Sequence, residues 1–245
     1  MGNLLPEGGT DPACEFVLIP AGEFLMGSKE LQNTQPVHKV SVPSFFMARM
    51  PVIRLVWDGC SHMRYYPREK ITTSTGDRRP IEGVSWEEIG PFLKFTGLRL
   101  PTESEWEYAC RAGTTTRYSF GEDAVVKTGF FARKNLLAEY AWYGENSRYG
   151  KDVACAVHPV GQKLPNAFGL CEMHGNVWEL CEDTYAPNYN QHPTDGSAAI
   201  GVGCDRVTRG GSSWSEARAL ASAWRQSFAP PRHLTYGGFR VAARP

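Results

Sequence analysis

Leu98-Arg99-Leu100-Pro101-Thr102-Glu103-Ser104-Glu105-Trp106-Glu107-Tyr108-Ala109 is the stretch on which the fold turns. Thr102 is followed three residues later by Glu105, so each side chain can satisfy the other residue's orphan backbone amide at a helix start. The spacing predicts a helix from there, with Trp106 and Cys110 on one buried face and Gly113 as the terminator. The same device stands upstream in Ser85-Trp86-Glu87-Glu88. Ile89, Phe92, Leu93 and Thr96 then recur at helical spacing, Gly97 supplies the stop, and Pro91 is placed to kink the helix. These are two scaffold helices. Toward the N-terminus, Phe16 to Gly27 reads as two apolar runs broken by Pro20-Ala21-Gly22, a β-hairpin pattern, and Val37 to Val42 alternates as a further strand. His38 falls in that strand as a half-exposed histidine, since no partner at metal spacing lies near it. Beyond Gly113 the chain is rich in Gly, aromatic and polar residues with little period. Long irregular stretches of this kind need function, bound ions or extensive loop packing to justify them.

The chain has 245 residues, enough for one large domain or two small ones, and nothing in it favours two. Lys plus Arg and Asp plus Glu balance at 26 each, so there is no electrostatic reason to expect a nucleic-acid or anionic-membrane partner. Residues 1–14 hold Pro6, Gly8, Gly9 and Pro12 and read as a loose segment before a domain spanning 15–245. That segment lacks a basic region followed by an apolar run, and no stretch reaches the roughly 18 apolar residues of a membrane span. The expectation is a soluble, cytoplasmic protein; a leader removed upstream would make it surface-exposed or secreted. Seven cysteines, an odd number, are spread over the whole chain without a C-x-x-C, which favours free, buried thiols over a disulfide framework or a structural zinc.

Several blocks together resemble the formylglycine-generating-enzyme, or sulfatase-modifying-factor, family. They are Ile19-Pro20-Ala21-Gly22-Glu23-Phe24 with Met26-Gly27, Pro80 to Trp86, the opening stretch Leu98 to Ala109, Pro165 to Leu170, Gly175-Asn176-Val177-Trp178-Glu179, Arg209-Gly210-Gly211-Ser212 and Gly238-Phe239-Arg240-Val241. The resemblance implies an α+β, C-type lectin-like fold with little regular secondary structure, carrying calcium in its loops. Hard cations take carboxylate and carbonyl oxygens. Carried over by position, the implied calcium ligands are Glu172, Gly175, Val177 and Glu179, with Asn146 as part of a second site. His174 beside them reads as a packing or hydrogen-bonding residue.

The oxidases of this family hold copper with two cysteines shortly after the Gly-Gly-Ser block, because Cu(I) selects thiolates. Here Ser213 to Ala223 contains no cysteine, and no copper is expected. Cys204 stands alone before the block and cannot restore the pair, although Cys155 or Cys171 could approach it through the fold. Relatives that form sulfur–carbon bonds on iron draw histidines from an extra helical domain not found here, and His158, His192 and His233 show no nucleophile-elbow pattern. The expected role is therefore non-enzymatic. The alternative is a formylglycine-generating-type oxidase or other metal-dependent enzyme, and its marker would be a Cys or His pair converging near Trp214.

Between Gly-Gly-Ser and Gly-Phe-Arg lies a segment, 213–237, with Trp214, Trp224, Phe228 and Tyr236 among Arg218, Arg225 and Arg232. Aromatics and arginine supply most contact energy in binding surfaces, although Trp224 and Phe228 serve equally well as core. Its spacing is similar to the variable proteins of diversity-generating retroelements, in which adenine-directed mutagenesis rewrites scattered positions on the ligand face of this fold. That resemblance implies a diversified, ligand-binding set: Trp214, Ser215, Glu216, Ala219, Trp224, Gln226, Phe228, Ala229, Arg232, Leu234, Thr235 and Tyr236. The segment holds no Asn, as both a mutagenised copy and an ordinary non-catalytic relative would show. The implied partner is a protein or other macromolecule. A purely structural module would instead bury these aromatics.

Overall fold

The computed structural model of the protein describes residues 15–61, 78–128, 132–148, 156–201, 203–230 and 232–245. The 1–14 segment, Cys14 and Cys155 lie outside them. In chain order the first strands are β1 (Phe16–Ile19), β2 (Gly22–Met26), β3 (His38–Val42) and β4 (Phe45–Ala48), followed by helices α1 (Arg54–Ser61), α2 (Trp86–Thr96) and α3 (Glu103–Arg111). Then come β5 (Val125–Lys127), β6 (Arg133–Asn135), the short helix α4 (Leu137–Tyr140), β7 (Trp178–Thr184), β8 (Arg206–Arg209), β9 (Arg225–Phe228), β10 (Gly237–Phe239) and β11 (Ala242–Ala243). Short elements separated by long loops make this the α+β, C-type lectin-like architecture that the blocks imply.

Both capping boxes form. At α2 the Ser85 N–H donates to Glu88 Oε2 at 2.8 Å, and at α3 the Thr102 N–H donates to Glu105 Oε2 at 2.9 Å, with reciprocal bonds back to the hydroxyls. Gly97 ends α2 in the left-handed region (φ 70°), and α2 runs unbroken from Trp86 to Thr96 with Pro91 inside it. At α3 the left-handed residue is Ala112 (φ 47°), one position ahead of the expected Gly113. Nor does α3 bury one face only. All nine of its residues are buried, because loops and strands wrap it on every side.

The expected hairpin does not form. β1 pairs antiparallel with β4, Phe16 opposite Ala48, while β2 pairs with β3, Gly22 opposite Val42. Pro20 has no N–H to give a ladder, and at Gly22 the chain passes so close to α3 that a Cβ would strike the Tyr108 hydroxyl. The chain therefore crosses α3 instead of folding back along β1. β11 joins the other side of β4, giving a sheet ordered β1-β4-β11. The larger sheet is ordered β10-β7-β8-β9, with β10 parallel to β7 and the other pairs antiparallel. Its edge strand β9 carries the middle of the 213–237 segment. One core gathers around Trp106 with Met26, Met47, Leu170 and Val207, and a second stacks Trp57, Phe92 and Phe239 between α1, α2 and β10.

Candidate ligand-binding site

The 213–237 segment rests on charged side chains that are buried. Arg225 grips Glu103 with two bonds of 2.7 Å and donates to the carbonyls of Ala186 (2.6 Å) and Asn33 (3.1 Å). Arg209 pairs with Glu107 and donates to the Trp224 carbonyl at 2.7 Å. Glu107 also pairs with Arg111 and accepts from the Gly27 N–H at 2.9 Å. Burial alone would raise the Glu103 and Glu107 carboxyls, but their arginine partners hold both below the usual range. Removing one member of such a set leaves an uncompensated buried charge, so the network fixes where β9 and Trp224 sit.

Above this floor, the twelve implied contact positions divide. Trp214, Glu216, Gln226, Arg232 and Thr235 are exposed; Ser215, Trp224, Ala229, Leu234 and Tyr236 are half-buried. Ala219 and Phe228 are buried, and this corrects their placement among the contacts: Phe228 packs in the Trp57–Phe92–Phe239 core, and Ala219 is on the buried side of the 3-10 turn Ala217–Leu220. Trp214 and Tyr236 meet at 5.8 Å between ring centres, beside a turn in which the Ser212 N–H donates to Ser215 Oγ at 2.9 Å. Trp224 stands apart from that pair, on the ridge between two cavities of about 510 Å³ and about 900 Å³. Both are within the usual range for ligand pockets. Their other walls, Lys29 to Gln35, Arg117 and Tyr185 to Asn190, escape sequence reasoning because they come from loops with no periodic or motif signal.

The implied calcium ligands are only partly free to act as such. Glu172 is buried, with Oε1 accepting from the Gly161 N–H at 2.9 Å and Oε2 without any partner, and burial pushes its carboxyl up to about 7. That orphaned oxygen suits a hard cation. Glu179 is corrected to an ion-pair anchor: its oxygens receive Trp106 Nε1 at 2.7 Å and the Arg240 guanidinium at 2.8 to 3.3 Å, four contacts that fill its lone-pair positions. Asn146 is spent on its own turn, accepting from the Tyr143 N–H and donating to the Ala141 carbonyl, each at 2.8 Å. Gly175 keeps its place at φ 83°, where a Cβ would collide with the Trp142 carbonyl oxygen.

One Cys–His approach exists near the segment. Cys110 Sγ lies 3.9 Å from His174 Nε2, and His174 Nδ1 bonds the Leu220 carbonyl at 2.7 Å and Nε2 the Ser119 hydroxyl at 2.9 Å. The group is buried, and burial pushes the thiol up to about 12 and the imidazole down to about 4. A neutral thiol is a poor nucleophile and metal ligand, and His174 does the packing and hydrogen-bonding work expected of it. Cys171 and Cys181 are likewise buried and free, Cys60 is half-buried and Cys204 is exposed, so the expected burial of the thiols fails at the last.

The profile of the sulfatase-modifying factor enzyme 1-like domain matches residues 3–245. The formylglycine-generating enzyme of Streptomyces coelicolor is 37% identical over 137 residues, 54% of this chain and 41% of that enzyme. The structure of PvdO from Pseudomonas aeruginosa superposes with a TM-score of 0.77 at 28% identity, covering 96% of both chains. Treponema denticola variable protein 1 superposes with a TM-score of 0.74 at 24% identity, covering 94% of this chain and 95% of that one, a likeness of fold. The chain thus belongs to the sulfatase-modifying factor enzyme 1-like family, with its C-type lectin-like fold. It spans about two fifths of the length of the first curated relatives it matches, and among its described residues no helix is long and apolar enough to cross a membrane.

Proposed function

We propose that the protein is a non-catalytic ligand-binding member of its family that displays residues 213–237 as a recognition surface, in the manner of a retroelement-diversified variable protein. One observation carries the reading. Ten of the twelve implied contact positions reach solvent at least in part, while the backbone beneath them is held by the buried Arg209 and Arg225 pairs. Side chains can therefore be exchanged without disturbing the scaffold. Rigid presentation of aromatic and arginine side chains lowers the entropy lost on binding. Glu172, with the carbonyls of Gly175 and Val177, would hold a structural calcium; the ion would contribute charge compensation and no chemistry.

The test is to sequence the 3′ end of the gene in a natural population and search downstream for a near-identical template. The expected finding is a template differing from the gene only at adenines, with the differences falling in the codons of the ten accessible positions. Its absence overturns the retroelement reading. Metal-dependent oxygen uptake with a cysteine-containing peptide would replace the ligand-binding reading by that of a formylglycine-type oxidase.

A further inference from the structure

Trp224 lines both cavities, and Glu30 and Leu31 are also shared between them, so the two form lobes of one groove. The lobes differ in chemistry. The smaller has an apolar floor from Leu31, Val37, Ala221, Ala223 and Trp224, and the exposed Leu25 stands at its mouth. Four cations and two acids line it. Arg111 is already neutralised by the buried Glu107, and Arg117 is held between the lobe's two acids, Glu30 at 2.8 Å and Glu122 at 3.6 Å. Lys29 and Arg218 remain. Lys29 has no acidic partner among the described residues, and Arg218 meets only Glu216 at 3.0 Å, with both side chains about three-quarters exposed (72% and 75%). Such a pair is worth little in water and yields readily to a competing carboxylate. The larger lobe has no cation in its lining and is rich in side-chain amides. Among its described residues, the amide groups of Gln32 and Asn190 make no hydrogen bond within the protein. Each such amide offers a donor and an acceptor together, which matches the alternating N–H and C=O of an extended main chain.

Resting on the ligand-binding reading above, we propose that this groove seats an extended acidic peptide segment of a partner protein. An apolar side chain would lie on the Leu31–Val37–Trp224 floor, an adjacent carboxylate would meet Lys29 and Arg218, and the main chain would run over Trp224 into the amide-lined lobe. Trp214 and Tyr236 lie outside this seat. An oligosaccharide fits less well, since it would place hydroxyls against the aliphatic floor and leave the two cations unanswered.

The experiment pans the full chain against a random-peptide phage library and measures enriched peptides, fluorescein-labelled, by anisotropy. An array of neutral and acidic oligosaccharides is probed in parallel. Enriched sequences should place Asp or Glu beside Leu, Ile, Phe or Trp. Trp224→Ala and the surface change Arg218→Glu should each weaken binding about tenfold or more, and Leu164→Ala, an exposed position outside the segment and the groove, by less than about twofold. Arg218→Glu keeps the test meaningful should Trp224→Ala unfold. Binding lost with Trp214→Ala but unmoved by Trp224→Ala and Arg218→Glu overturns the groove and leaves the ligand-binding function standing. Glycan binding without peptide binding overturns the peptide class alone. Silence on both probes overturns this proposal and the proposed function together.

Discussion

Glu172 sits at φ 54° with one carboxylate oxygen bonded to Gly161 and the other facing no partner. Its carboxyl is raised to about 7 by burial, so a cation held there as proposed would compete with protons below that pH and meet a free carboxylate above it. Added calcium should therefore raise the melting temperature more at pH 8 than at pH 6, and Glu172→Gln should abolish the response, which thermal denaturation with and without calcium will measure. A response that persists in Glu172→Gln would move the ion elsewhere. At this scale the sequence was legible wherever a residue's role is local. The blocks bracketing the 213–237 segment could be read directly, whereas His174 was read as a hydrogen-bonding residue from its type, its partners Ser119 and Leu220 being 55 and 46 residues away. Glu179 could not be read, because its partners Trp106 and Arg240 are 73 and 61 residues away. Phe228 shares its strand with the exposed Gln226, and the pattern buried-exposed-exposed-buried on β9 breaks the strict alternation by which a strand face is normally assigned.

The elements show the same division between local and distant causes. The capping boxes of α2 and α3 are contained within four residues each, and both form as the spacing predicts. Ser85→Ala should cost about 1 kcal/mol, the ordinary cost of a lost cap. Glu103 is also in the first turn of α3, yet its partner is Arg225 on β9, 122 residues away. Glu103→Gln should cost about 3–5 kcal/mol, because the Arg225 guanidinium is then buried without its counter-charge. Urea denaturation of the two variants separates the cases; equal losses would mean that the Glu103–Arg225 pair does not tie β9 to α3. The hairpin expected over Phe16 to Gly27 failed for a related reason. Both runs are strands, but their partners are decided by the passage of Gly22 over Tyr108, a contact that no local pattern announces. The groove walls around Trp224 were invisible for lack of any motif at all.

Over the whole molecule, buried ionisable groups set how stability depends on pH. Glu172 and Asp183 are both pushed up to about 7, each chiefly by burial, so the folded state holds protons that the unfolded chain releases at a lower pH. Each contribution is fully present below the unfolded carboxylate range and is lost as pH rises through about 7. His174, pushed down to about 4, acts in the opposite sense, stabilising as pH rises from there toward 6.5. His158 and His192 are pushed down by burial as well, so three histidine contributions oppose those of the two carboxyls. In calcium-free buffer each of the two raised carboxyls should lower the unfolding free energy by up to about 1.4 kcal/mol per unit between about pH 5 and pH 6.5. Asp183→Asn should remove one of these contributions and shift the slope upward, and urea midpoints taken across the range will show it. An unchanged slope would mean that Asp183 is ionised in the folded protein. Below the ordinary carboxylate range the unfolded chain takes up protons that the depressed Glu103 and Glu107 carboxyls do not, and their contribution to stability is lost as pH falls further.

The sheet ordered β1-β4-β11 also has a mechanical meaning. Both outer strands run antiparallel to β4, so β1 and β11 are parallel to each other; β1 enters beside Ala48, and β11 leaves past Phe46 toward the other end of β4. Tension applied between residues 15 and 244 along the strand axis pulls β1 and β11 in opposite directions across one shared middle strand. The hydrogen bonds on both sides of β4 are then loaded together in shear, not opened one after another as in a zipper. A scaffold tethered by its two ends would keep the 213–237 segment in place under a pull that strips a zippered domain apart.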